Sequence, residues 1–221
     1  MKKLFLQLLP LMGIIVLFSC KGNSKSNQTT ESQALVQELD AKDEITKWKQ
    51  ELLDAKQIGQ PCTGDLASWS NQNPNQENGL PADENAYGSQ KADVNGDGKQ
   101  DLLIYFMSEN CSGHNGGTPT YARLVYSDGD SYKINDALTT EVKNAILAEY
   151  NKLKESDKTF KSVSNNFLDE TTTITGYENG VKGAYSLYAE DDAHCCPSYS
   201  GTYVYDVNSK SITIDNKVNG K

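Results

Sequence analysis

The chain has 221 residues, 30 Asp and Glu against 21 Lys and Arg, and a formal net charge of −9. That balance excludes binding to nucleic acid or to an anionic lipid surface through a basic patch. Modest apolar content, 12 tyrosines and frequent Gly, Asn and Asp predict antiparallel sheet in an α+β body of one ordinary domain.

Lys2 and Lys3 precede an apolar stretch, Leu4 to Phe18, broken only by Gln7, Pro10 and Gly13. This reads as a secretory signal over residues 1–19; a spanning helix needs roughly 20 apolar residues. The segment holds two lysines and no acid, so its removal deepens the net charge from −9 to −11. Leu17-Phe18-Ser19-Cys20 resembles a bacterial lipobox. The resemblance implies cleavage before Cys20, diacylglycerol on its sulfur and a lipid anchor in the cell envelope. Two or more acyl chains hold a protein stably on a membrane. Residues 20–33, including Lys21 to Thr30, are polar and aperiodic and read as a flexible tether. Lys21 is not the aspartate that retains some lipoproteins in an inner membrane, and no acidic cluster follows Cys20. The resemblance therefore points to an outer membrane, facing the periplasm.

Residues 34–221 are expected to form the globular domain. Ile45, Trp48, Leu52 and Ala55 lie on one face of a helix, with Asp43 as cap and Leu35, Val36 and Leu39 as an upstream extension. Gln60 to Gln90, rich in Pro, Gly and Asn, reads as a long loop beginning near Cys62. Leu102 to Met107 reads as a strand buried on both faces, and Tyr121 to Tyr126 as a second. Ser127-Asp128-Gly129-Asp130 then turns the chain into a third strand at Tyr132 to Ile134. Val142, Ile146, Tyr150 and Leu153 mark a middle helix capped by Thr139 or Thr140. Thr172 to Thr175, the Asn179-Gly180 turn and Val181 to Tyr188 form a hairpin, and Thr202 to Val207 with Ser211 to Ile214 another.

These elements contain an echo. Leu102–Met107, a loop with Cys111 and His114, Tyr121–Tyr126, a turn and Tyr132–Ile134 make one three-stranded unit. Ala184–Tyr188, a loop with His194, Cys195 and Cys196, Tyr203–Val207, a turn and Ile212–Ile214 make the other.

Asp93-Val94-Asn95-Gly96-Asp97-Gly98-Lys99-Gln100-Asp101 carries the strongest chemical signal. Oxygen side chains at Asp93, Asn95, Asp97 and Asp101, with the Lys99 carbonyl, have the spacing that wraps a hard cation, and calcium takes about six to eight oxygens. The loop departs from the EF-hand: Ile104 stands where that motif has a bidentate Glu, and a strand follows instead of a helix. It is similar to the calcium loops that precede strands in extracellular repeat proteins such as dockerins and FG-GAP propellers, but this chain has one copy, so a propeller or a dockerin pair is not expected. The ion-free reading is a set of Asx turns. Mutual repulsion of three carboxylates favours calcium, bound weakly, at about 10⁻⁴–10⁻³ M, in a structural role.

With Cys20 lipidated, Cys62, Cys111, Cys195 and Cys196 remain, an even set that in an oxidising compartment forms two disulfides in one of three pairings. Adjacent cysteines are closer than the usual bridged span, whereas an extended chain points them to opposite sides. Asp192-Ala193-His194-Cys195-Cys196-Pro197-Ser198, followed by a strand, resembles the Asp-x-x-Cys-Cys-Pro-Ser segment of exported bacterial lipoproteins, including the mycobacterial LppP/LprE type. The resemblance covers roughly Lys91 to Ile134 and Ile174 to Ile214. It implies a Cys195–Cys196 bridge, hence Cys62–Cys111, and carries no activity.

Three functions follow as expectations. The first is a non-enzymatic envelope lipoprotein that binds an unidentified periplasmic protein or ligand. The second is a transition-metal or redox site built from Cys111, His114, His194 and Cys195. The third is a hydrolase, although no Gly-x-Ser-x-Gly, His-Glu-x-x-His or phosphate loop occurs.

Overall fold

In the computed structural model the described residues are 39–113, 117–164, 168–193 and 195–218. The predicted signal, Cys20, the tether, His114 and His194 lie outside them. The chain begins with α1 (Ala41–Asp54) and α2 (Leu66–Gln72), then β1 (Asn78–Gly79) and β2 (Gly88–Ala92). Next come β3 (Asp101–Met107), β4 (Glu109–Asn110), β5 (Thr120–Asp128), β6 (Ser131–Asn135) and α3 (Leu138–Ser156). The second half holds β7 (Val163–Ser164), α4 (Leu168–Thr171), β8 (Thr173–Tyr177), β9 (Val181–Ala189), β10 (Tyr199–Asp206) and β11 (Ser211–Val218).

The architecture is α+β, with two antiparallel meanders of matching strand order. One runs β2-β3-β5-β6; the other runs β8-β9-β10-β11, with β7 pairing the far end of β9. The echo in the sequence thus extends by one strand upstream in each unit: β8, which is the first strand of the hairpin expected at Thr172 to Thr175, and β2, whose short polar stretch lacked a clear period. A two-stranded ribbon of β1 and β4 stands apart.

Alternation along β3 divides the core. Leu102, Ile104 and Phe106 join Trp48 and Leu52 of α1 on one face of the first sheet. Leu103 joins Ala122 and Leu124 of β5 on the other face, against Leu138, Val142, Ile146 and Tyr150 of α3 and the tyrosines of the second sheet. Both faces of β3 are therefore covered as far as Phe106, as its apolar run requires, whereas Met107, expected to be buried with them, is 50% exposed at the strand's end. The second sheet uses glycine to admit its tyrosines: Gly183 pairs with Tyr203 and Gly201 with Tyr185. A Cβ on Gly183 would stand 2.6 Å from Tyr203 Oη, and one on Gly201 2.9 Å from Tyr185 Oη.

Several local expectations change. The cap of α1 is Asp40, whose Oδ1 accepts from Asp43 N at 3.0 Å, so Asp43 is inside the helix. The residue before α3 is Ala137 with no side-chain cap, and Thr139 and Thr140 lie in the first turn. The stretch expected to be a loop holds α2, capped by Asp65 through Ala67 N and Ser68 N, and buries Trp69 at 1% exposure. A seven-residue helix shows too few turns to leave a period. Around it Trp69 Nε1 donates to Gln60 O at 2.9 Å, and Cys62 bonds to Cys111. Closing a loop of that length contributes about 4 kcal/mol in the chain-entropy account.

The two sheets are joined by a side chain that acts as backbone. Gln90 of β2 donates through Nε2 to Tyr177 O at 2.6 Å and accepts from Tyr177 N at 2.8 Å. Gly176 (φ 148°) makes room: a Cβ there would stand 2.8 Å from Gln90 Oε1. Gln90→Ala is expected to cost about 1–3 kcal/mol, because it unpairs both backbone groups. Gly176→Ala should also destabilise, and the double variant should cost less than the sum, since removing the amide relieves the clash. Urea denaturation of the four chains measures that coupling, and strict additivity would separate the glycine from Gln90.

Candidate metal centre

The loop between β2 and β3 is built from Asx turns. Asp93 Oδ1 accepts from Gly96 N at 2.7 Å and Asp97 N at 3.1 Å, and its Oδ2 accepts from Gly98 N at 2.9 Å. Asn95 Oδ1 accepts from Asp97 N at 3.0 Å, and Asp97 Oδ1 from Lys99 N at 2.9 Å. Gly96 (φ 78°) and Gly98 (φ 83°) supply the left-handed backbone that turns these amides inward.

Asp101 differs from the other two acids. It is fully buried, while Asp93 and Asp97 are exposed. Its Oδ2 accepts from Val94 N at 2.7 Å and Asn95 N at 3.3 Å. Its Oδ1 accepts from Ser127 N at 2.8 Å and lies 3.0 Å from Ser127 Oγ. Three backbone amides use its lone pairs, with the Ser127 hydroxyl within reach as a fourth donor, so in this arrangement Asp101 anchors the loop to the end of β5. The Ser127 hydroxyl also reaches Asp97 Oδ2 at 2.7 Å; its single proton serves one carboxylate at a time. Asn95 Nδ2 donates to Ser127 O at 2.7 Å, and Lys99 Nζ donates to Gly129 O. From the second meander, Asn208 Nδ2 donates to Val94 O at 2.7 Å. The hairpin ends of both sheets thus meet on this loop.

The repulsion that favoured a cation is met here by amide and hydroxyl hydrogens. Among the described residues no three His, Cys, Asp or Glu side chains converge as ligands for one ion. Asp93 Oδ2, Asn95 Oδ1 and both carboxylate oxygens of Asp97 each accept one bond and keep a lone pair. These four oxygens and the Lys99 carbonyl are what the loop can offer an ion, fewer than the six to eight calcium takes, so water would complete the shell.

The second cysteine pair, Cys195–Cys196, has adjacent Cα atoms 3.8 Å apart and lies on the surface. Asp192 closes the base of its loop, accepting from Ala189 N at 2.6 Å, Ser198 N at 2.7 Å and Ser198 Oγ at 2.6 Å. Asp191 pairs with Lys161 at 3.1 Å. Cys111 is fully buried in its bridge, so neither Cys111 nor Cys195 offers a thiolate. Ser127 and Asn208 were not foreseen as parts of the site. They are distant in sequence, and only the hairpin register brings them to the loop.

The chain matches no protein-family model, no curated protein and no solved structure.

Two outcomes follow from this geometry. Asp101→Asn should cost about 3 kcal/mol, because an amide NH₂ would face buried donors, whereas Asp93→Asn on the exposed side should cost about 1 kcal/mol or less. Asp97 is held below the ordinary 3.8, first by the Ser127 hydroxyl and then by the Lys99 amide. A depressed carboxyl stabilises the fold above its unfolded pKa, and that contribution is lost as pH falls through the folded value. Between about pH 5 and pH 2, wild-type stability should fall more steeply than that of Asp97→Asn. Denaturant midpoints across that range provide the comparison, and parallel curves would contradict the assignment.

Proposed function

We propose that this protein is a lipid-anchored component of a bacterial cell envelope whose folded body is a non-enzymatic interaction module. The observation that carries the reading is the cysteine inventory. Of five cysteines, four pair within the body, and Cys20, at the end of the apolar leader, is the one left over. Two disulfides suit an exported chain, because cytosolic reductants keep thiols free. A lone cysteine after Leu17-Phe18-Ser19 suits acylation. Among the described residues no helix is long and apolar enough to cross a membrane. The resemblance to lipoproteins facing the periplasm supports the same location.

Calcium is proposed as a structural ion of the Asp93 loop, held by Asp93, Asn95, Asp97 and the Lys99 carbonyl. The case rests on the spacing of these residues. Because the loop already closes on its own amides, the gain from the ion is small and its affinity lies at the weak end of extracellular sites.

Metabolic labelling with an alkyne fatty acid tests the anchor. The wild-type chain should be labelled and sediment with membranes; Cys20→Ala should lose the label, and a variant still acylated would defeat the proposal. Calcium at about millimolar concentration should raise the melting temperature by mass action, and Asp97→Ala should abolish the response. Identical wild-type melts with calcium and with chelator would remove the ion from the account.

A further inference from the structure

β5 is longer than the strand that covers it. β6 pairs with Leu124 to Asp128 and stops at Asn135, whereas β5 starts at Thr120. The pleat says which groups are left open. Asp128 and Ser131 flank a two-residue turn and form a hydrogen-bonded pair, with Gly129 at φ 61°. Tyr126 and Leu124 then also bond toward β6, and by the same alternation Ala122 and Thr120 turn their N–H and C=O groups to that side. The opposite edge agrees: Pro119 O accepts from Ser108 N at 3.1 Å, which assigns the odd-numbered residues to β3. Beyond Asn135 no described strand pairs with Ala122 or Thr120 on the open side.

This edge is recessed. It lines a slot of about 330 Å³, walled by Trp48 and Leu52 of α1 and by Thr139, Thr140 and Lys143 of α3, with Asp136 at the turn before that helix. Thr120 and Ala122 are each only 3% exposed, and the Thr120 hydroxyl, buried beside the slot, has no hydrogen-bond partner. Buried polar groups are rarely left unpaired. We propose that the slot takes a short extended segment of another polypeptide, which adds to β5 as a strand and pairs with the backbone of Thr120 and Ala122. Such a strand would alternate its side chains between the two faces of the sheet. One set meets the apolar wall of α1 and the other the hydroxyls and Lys143 of α3, so the ligand alternates apolar and small polar residues. This rests on the interaction-module reading above and specifies its partner as an extended peptide.

The test uses the full-length, isotope-labelled chain in detergent micelles. The probe is a blocked pentapeptide alternating valine and threonine, and its control is the same peptide N-methylated at every residue. The amide of Ala122 should exchange fast in the protein alone and slow by about tenfold or more with the first peptide. The N-methylated peptide should give no protection, and Thr139→Trp, which fills the slot, should abolish the effect in a chain that melts like wild type. An Ala122 amide already protected without peptide overturns the proposal, as does equal protection by the N-methylated peptide. An intact peptide that protects nothing overturns the slot alone, since the acylation of Cys20 is tested separately. Protection with recovery of a cleaved peptide supports the slot and overturns the non-enzymatic reading.

Discussion

A buried carboxylate organises the junction on which this fold depends. Asp101 opens β3, the central strand of the first meander, and accepts from two amides of the loop before it and from the amide and hydroxyl side of Ser127 across the sheet. A charge withdrawn from water is stable only when its lone pairs are all met. Here meeting them specifies geometry as well: the loop must curl so that Val94 and Asn95 face inward, and β5 must bring Ser127 into register. Once that register holds, Leu102 to Phe106 alternate between the α1 face and the α3 face, and both cores follow.

The second meander attaches through polar contacts to backbone. Gln90 takes the place of a missing strand against Tyr177, and Asn208 reaches the carbonyl of Val94. Between these points α3 and the tyrosines of β9 and β10 supply the apolar contact. Tyrosine suits this layer because the ring buries area while the hydroxyl finds a partner, as Tyr203 does at Thr173 O, 2.9 Å away. The same burial pushes the Tyr203 hydroxyl above its ordinary pKa.

This arrangement bears on the functional proposals. A loop that gathers both sheets is a position where a bound ion would stiffen the whole body, and the same contacts let the loop close on its own amides. The slot at β5 lies elsewhere, between α1 and α3, beside an edge that no described strand pairs. Edge strands in folded proteins are usually covered or blunted by charge. The unpaired part of β5 is recessed, with Thr120 and Ala122 buried beside apolar, hydroxylated and charged side chains, which restricts what can pair with it.

Periodicity and local chemistry sufficed for the elements that bury whole faces. The helix around Trp48, the helix around Val142, the strand buried from Leu102 to Phe106 and the tyrosine-rich hairpins all announce themselves, because burial repeats at the helix or strand period. The repeated meander was also visible, since turn residues punctuate both copies alike. The short helix at Trp69 and the strand at Gln90 were not legible; each is held by contacts to residues far along the chain. The site divides in the same way. Its Asp and Asn spacing is local and readable, along with the left-handed glycines. The roles of its acids are not: Asp93 and Asp101 look alike in the motif, and only the approach of Ser127 from the next hairpin makes one a solvent-facing turn residue and the other a buried anchor. Sequence alone determined which side chains could carry charge or oxygen to this place. Tertiary structure decided which of them remain available, because hydrogen-bond capacity is finite and distant backbone groups compete for it.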